Sequence, residues 1–200
     1  KPGWKLYHSC CSGQTKFVAG AYSSAWASLA SAVNWAIHGN GLLAMTTPVP
    51  MHITTIESWL DEARVEYYTC DRCEGLHLQS LQDLEGIIDS RLFLEPWGLL
   101  LTTELEIRPM ALLPLAADLG RLNMDYPTLK LFQDVVDDAT PQLVIAGTQL
   151  SGAGLTLEQF ATFVATTVAA TRQVGSECQQ LNYLFAEAKP GEHPGPSAIH

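Results

Sequence analysis

Residues 98 to 108, "GLLLTTELEIR", decide the fold. Leu99, Leu101, Thr103, Leu105 and Ile107 fall on one side of an extended chain, while Thr102, Glu104, Glu106 and Arg108 fall on the other. Alternation of period two over this length marks a β-strand with one face on a core and the other in water. Just before it, Pro96-Trp97-Gly98 supplies a turn, because proline presets its own φ and glycine is free to take a positive one. Residues 85 to 95, "EGIIDSRLFLE", read as a long strand leading into that turn, and "VEYYTC" (65 to 70) and "GLHLQ" (75 to 79) as two shorter strands before it.

Helical spacing appears on either side of these strands. "ITTIESWLDEA" (53 to 63) repeats apolar residues at Ile53, Ile56, Trp59, Leu60 and Ala63, and Thr54 with Glu57 fits a capping box. Leu112, Leu115, Leu119 and Leu122 predict a second helix to about Asn123, with Pro114 in its first turn, where a missing N–H costs nothing. Two more strands, 129 to 136 and 142 to 150, lie close enough for an antiparallel hairpin. A last helix opens on a Thr156/Gln159 capping box, with Leu155 and Phe160 as a hydrophobic staple. Its heptad positions Leu157, Phe160, Val164, Val174, Cys178, Leu181 and Phe185 predict a run to about residue 186. The fold class is α+β, an antiparallel sheet flanked by helices in the order α-β-β-β-α-β-β-α, with three or four strands before the second helix according to whether the two short runs count as one or two.

Charge marks the boundaries. The 200 residues are 47% apolar and 16% charged, with a formal net charge of -10 that argues against nucleic acid as a partner. Residues 1 to 50 hold Lys1, Lys5 and Lys16 and no acid, so the excess of acid lies beyond them. Residues 1–50 therefore read as an N-terminal extension of separate origin, 51–187 as the α+β domain, and 188–200, with three prolines and two glycines, as a disordered tail. The uncharged stretch "FVAGAYSSAWASLASAVNWAI" (17 to 37) has the length of a membrane span, but its serines, alanines and Asn34 make a poor apolar slab. A membrane is thus not the expected partner, and a start at Met45 or Met51 is the plainer account of the lead.

Several segments together resemble the YbjN family, described as bacterial sensory transduction regulators with the type III secretion chaperone-like fold. They are "WLDEARVEYYTCDRCEGLHL" (59 to 78), "EIRPMALLPLAADLGRLN" (106 to 123), "VVDDATPQLVI" (135 to 145) and "LTLEQFATFV" (155 to 164). The resemblance spans about residues 52 to 175 and implies a non-enzymatic regulator or chaperone-like adaptor, while Cys70, Cys73 and Cys178, in a chain with core enough to need no disulfides, read as the reduced thiols of a cytoplasmic protein. Such an adaptor binds another polypeptide, often as a homodimer, and is tied to motility, surface polysaccharide or stress responses. The resemblance implies no catalytic residue and no cofactor.

The residues themselves carry little chemistry. Apart from His77, the histidines (His8, His38, His52, His193 and His200) lie outside the domain or at its edge, and no serine occupies a nucleophile elbow. Cys70, Cys73 and His77 are the metal candidates, but they offer at most three of the four ligands that structural zinc takes. With Leu76 and Leu78 facing the core, His77 is expected to point the other way, away from the thiols. A second chain could complete the site by symmetry. A metal- or redox-responsive sensor working through Cys70 and Cys73 is the alternative function, and a membrane-anchored regulator using residues 17 to 37 is another. For protein binding, the far half of the last helix is expected to project Leu181, Tyr183, Leu184 and Phe185 as an apolar stripe.

Overall fold

A computed structural model of the chain describes residues 47–135 and 139–185. The expectations for the N-terminal extension, the 17 to 37 stretch and the 188–200 tail lie outside the described residues. Among the described residues the order is α1 (Ile53–Glu62), β1 (Tyr67–Tyr68), β2 (Leu76–Leu78), β3 (Ile87–Glu95), β4 (Gly98–Glu106), α2 (Leu112–Asp125), β5 (Lys130–Asp134), β6 (Gln142–Leu150) and α3 (Leu157–Gln180). The strands form one six-stranded sheet in the order β1-β2-β3-β4-β6-β5, every neighbouring pair antiparallel. The α+β reading holds, with four strands before the second helix. No helix among the described residues is long and apolar enough to cross a membrane.

Strand β4 is the sheet's spine. It pairs along its length with β3 and β6, and Leu99, Leu101, Thr103 and Leu105 are fully buried on the face predicted for the core. At the β3–β4 turn, a Cβ on Gly98 would lie 2.1 Å from the Gln149 carbonyl oxygen, so the close approach of β6 requires glycine there. The outer face departs from the expected wetting. Glu104 is buried and ion-paired to Arg91, because the Asp89↔Glu104 and Arg91↔Thr102 register makes the two diagonal neighbours on one face.

The helices pack on the inner face in two core groups. Ile56 and Leu60 of α1 and Phe160, Val164 and Val168 of α3 meet Leu76, Leu92, Leu99 and Leu101. Leu115 and Leu122 of α2, with Val174 and Cys178 of α3, meet Leu105, Leu131, Leu143 and Ile145. Gly147 lets α3 sit close to the sheet, since a Cβ there would come within 2.6 Å of the Thr167 side chain.

Two local expectations need correction. Helix α1 has His52 at its N-cap with no side-chain cap, so Thr54 lies inside the first turn and makes no capping box. Helix α3 begins as expected, with the Thr156/Gln159 box formed in both directions, but ends at Gln180 rather than near 186. Asn182 takes a left-handed φ of 58°, a role asparagine fills when glycine is absent, and the chain turns back on the sheet. Leu184 then bridges Ile107, with Arg108 N–H donating to the Tyr183 carbonyl at 2.9 Å and Phe185 N–H to the Glu106 carbonyl at 3.0 Å.

Candidate functional site

The loop between β1 and β2 brings three metal-ligating side chains together. In the β1–β2 pair Tyr68 lies opposite His77, so the two share the outer face of the sheet, and their rings stack at 4.4 Å between centroids. Cys70 follows Tyr68 by two positions, and Cys73 lies in the turn that leads back to β2. Cys73 Sγ is 3.1 Å from Cys70 Sγ and 3.1 Å from His77 Nε2, and Nε2 is 3.3 Å from Cys70 Sγ. The expected alternation holds, since Leu76 and Leu78 do face the core and His77 does point away. What overturns the expected separation is that both thiols lie on that same outer side.

Behind the imidazole stands a carboxylate that sequence reading did not single out. His77 Nδ1 lies 3.0 Å from each oxygen of Asp89, which also accepts the Ser90 N–H at 2.8 Å. Both partners are buried, His77 completely. An ionised carboxylate can only accept, so Nδ1 donates to it, and in the neutral imidazole Nε2 then turns its lone pair toward the thiols. Only strand parity hints at this contact: His77 pairs with Arg91, and Asp89 is two residues from Arg91 on the same face.

The charge around the pair continues along the sheet. Arg91 Nε approaches Asp89 Oδ2 at 3.5 Å, its Nη2 donates to Glu104 Oε1, and its guanidinium lies over the Phe93 ring at 5.6 Å. Burial opposes the charge on Arg91, but the Glu104 and Asp89 carboxylates outweigh it and hold its pKa above the ordinary value. Burial likewise pushes the Glu104 carboxyl up, against the pull of Arg91. The third described thiol, Cys178, is elsewhere: it is fully buried in the core, and that burial raises its pKa to about 12.

A second feature lies on α2. The helix buries Leu115 and Leu122, yet Met110 just before it, Leu113 and Met124 are 87%, 83% and 81% exposed. Residues 110, 113, 117, 120 and 124 recur at three- and four-residue steps, so Met110, Leu113, Ala117, Gly120 and Met124 form one exposed stripe opposite the buried one. Arg121 rims the stripe, pairing with Asp118, Asp125 and Glu177 of α3 at 2.6 to 2.8 Å. The stripe predicted at the end of α3 is broken up instead. Leu184 is in the core, Tyr183 is half-buried, and Leu181 and Phe185 stay partly exposed at 43% and 47%.

Comparison with known proteins places the chain among regulators. The YbjN family model, described as "Putative bacterial sensory transduction regulator", matches residues 52–180. "Uncharacterized protein YbjN" of Escherichia coli K12 is 39% identical over 120 residues, which cover 60% of this chain and 76% of that protein. The Shigella flexneri protein of the same name matches to the same extent. The crystal structure of E. coli YbjN, described as "a putative transcription regulator", superposes with a TM-score of 0.68 at 34% identity, covering 70% of this chain and all of that one.

Proposed function

The chain belongs to the YbjN family, and from that premise we propose that it is a regulator acting by non-covalent protein binding, without catalysis, and that its first partner is a second copy of itself. The observation that carries this reading is the exposed stripe of α2. A helix that is apolar on both faces reads as one whose second face is meant to be covered.

The order of residues along the stripe favours self-association. Large side chains at Leu113 and Met124 enclose small ones at Ala117 and Gly120, and 113 with 124 and 117 with 120 share one midpoint. A two-fold interface requires that residue i meet j while j meets i. Two antiparallel copies of α2 satisfy that requirement, with Leu113 against Met124 and Ala117 against Gly120. Gly120 gives independent support. A Cβ there would meet nothing within 4 Å, so packing within the chain does not call for glycine, which weakens a helix by about 1 kcal/mol relative to alanine. Close approach of another backbone gives it a purpose.

Magnitudes are compatible. Met110, Leu113 and Met124 from two copies are six large side chains, each contributing roughly 1.5–3 kcal/mol on burial. That gross gain meets an association cost of about 4–15 kcal/mol and predicts a concentration-dependent dimer. Size-exclusion chromatography with light scattering tests it: the full chain runs at twice its mass, and Leu113→Asp/Met124→Asp at one. Both positions are exposed, so the variant keeps its fold. A wild-type chain that stays monomeric at high concentration, or a variant that stays dimeric, removes the reading.

A further inference from the structure

The geometry points to a zinc site formed by Cys70, Cys73 and His77, with Asp89 as its outer-sphere partner, independent of the α2 face. The three ligand atoms already converge, at separations of 3.1, 3.1 and 3.3 Å. In tetrahedral zinc coordination with Zn–S near 2.3 Å and Zn–N near 2.0 Å, ligand atoms stand about 3.5–3.8 Å apart. Binding therefore needs the three to spread by roughly half an ångström. The thiols can supply that by side-chain rotation, since both are half-buried and lie outside the regular strands.

His77 does not need to move. Tyr68 stacks on one ring face, and the Asp89 carboxylate fixes Nδ1, so Nε2 is aimed in advance. Carboxylate, imidazole and metal in line is the usual outer-sphere arrangement of a metal-bound histidine, which raises the basicity of the ligand and sets its tautomer. A buried histidine–aspartate pair is expensive to desolvate, and an apolar pair would close a hairpin at less cost. Aimed at two thiols, the pair acquires a role.

The donor set selects the ion. Two sulfurs and an imidazole suit a borderline-soft divalent cation such as Zn²⁺ and not Mg²⁺ or Ca²⁺, which take oxygen. On binding, the two thiols release two protons, and the resulting thiolates neutralise the dication, so the half-buried loop gains no net charge. The described residues supply three ligands. A fourth, from solvent or from another side chain, completes the tetrahedron, and a fourth ligand that exchanges makes occupancy responsive to the surroundings.

The test uses tag-free full-length chain, purified under argon, loaded with Zn²⁺ and desalted. Elemental analysis should give one zinc per chain, with almost none in Cys70→Ser or Cys73→Ser. Competition against a chromophoric zinc indicator should show a 10- to 100-fold weaker site in Asp89→Asn. Co²⁺ in place of zinc should give the intense visible bands of a tetrahedral thiolate site in the wild type and lose them in Cys73→Ser. Circular dichroism confirms that each variant is folded. Three results overturn the proposal: less than a tenth of an equivalent in the wild type, equal zinc in Cys70→Ser, or a Cys70–Cys73 disulfide in the anaerobic protein. A dimer that survives any of them leaves the self-association reading intact.

Discussion

His77 and Asp89, twelve positions apart in sequence, meet at 3.0 Å between β2 and β3, on the face of the sheet opposite the helices and out of contact with water. The pair fixes one end of the thiol cluster and ties it to the Arg91–Glu104 ion pair one strand further on. The β1–β2 loop and the middle of the sheet are thereby one connected polar network.

That network should be costly to break from one side. Removing the guanidinium leaves the Glu104 carboxylate buried against its own desolvation, so Arg91→Met should destabilise the chain by about 3–5 kcal/mol. Arg91→Met/Glu104→Gln should recover most of the loss. Urea denaturation of the two variants checks the pair, and equal stability of single and double variant would contradict it.

Thiol reactivity should divide by position. Cys70 and Cys73 are half-buried, whereas Cys178 is fully buried with its pKa pushed to about 12. Iodoacetamide at pH 8, followed by peptide mapping, should label Cys70 and Cys73 in chelator-treated protein, spare both after zinc loading, and reach Cys178 only on unfolding. Labelling of native Cys178 at the rate of Cys70 would refute its placement in the core.

The same thiol predicts a pH dependence. Because the folded-state value lies above the ordinary 9.0, the folded chain keeps a proton that the unfolded chain gives up. Stability from this group is complete below pH 9 and is lost as pH rises toward 12, by about 1 kcal/mol between pH 8.5 and 10. Cys178→Ala lowers stability at pH 7 by leaving a cavity but should flatten that slope, as chemical denaturation across the pH range will show.

Two threonines at helix starts should behave differently. Thr156 accepts the Gln159 N–H at 3.1 Å, so Thr156→Ala should cost about 1 kcal/mol, whereas Thr54, which caps nothing, should change stability by less than about 0.5 kcal/mol on replacement by alanine. Thermal melts of the two variants distinguish them, and equal shifts would contradict the assigned helix starts.

Sequence reading recovered what is local or periodic. The alternation of 98 to 108 placed Leu99, Leu101 and Leu105 in the core, and the Thr156/Gln159 box located the start of α3. It failed where a distant contact decides. The heptad run through Leu181 and Phe185 continues in sequence, but a left-handed Asn182 and the Leu184–Ile107 bridge end the helix in space. Likewise the thiol cluster depends on β1–β2 register, since only the Tyr68↔His77 pairing reveals that Cys70 shares a face with His77. Asp89 carries no local signal, because an acid in a strand reads as solvent-facing until its neighbour's burial is known. The α2 stripe is hidden for a different cause: Leu112, Leu115, Leu119 and Leu122 account for one buried face in the sequence, and only the exposure of Met110, Leu113 and Met124 in the fold shows that the second apolar face is uncovered.

Self-association through α2 is tested most directly by placing one new cysteine at a time in a chain whose Cys10, Cys11, Cys70 and Cys73 are replaced by serine, and cross-linking with a short bis-maleimide. In the antiparallel pair, position 113 of one copy faces 124 of the other, while 113 and 113 stand about 16 Å apart along the helices, eleven residues at 1.5 Å each. Leu113→Cys mixed with Met124→Cys should therefore give a covalent dimer joined through those two positions on peptide mapping, and neither variant alone should. Cross-links that form equally in each variant alone, or no covalent dimer in the mixture, would contradict the account.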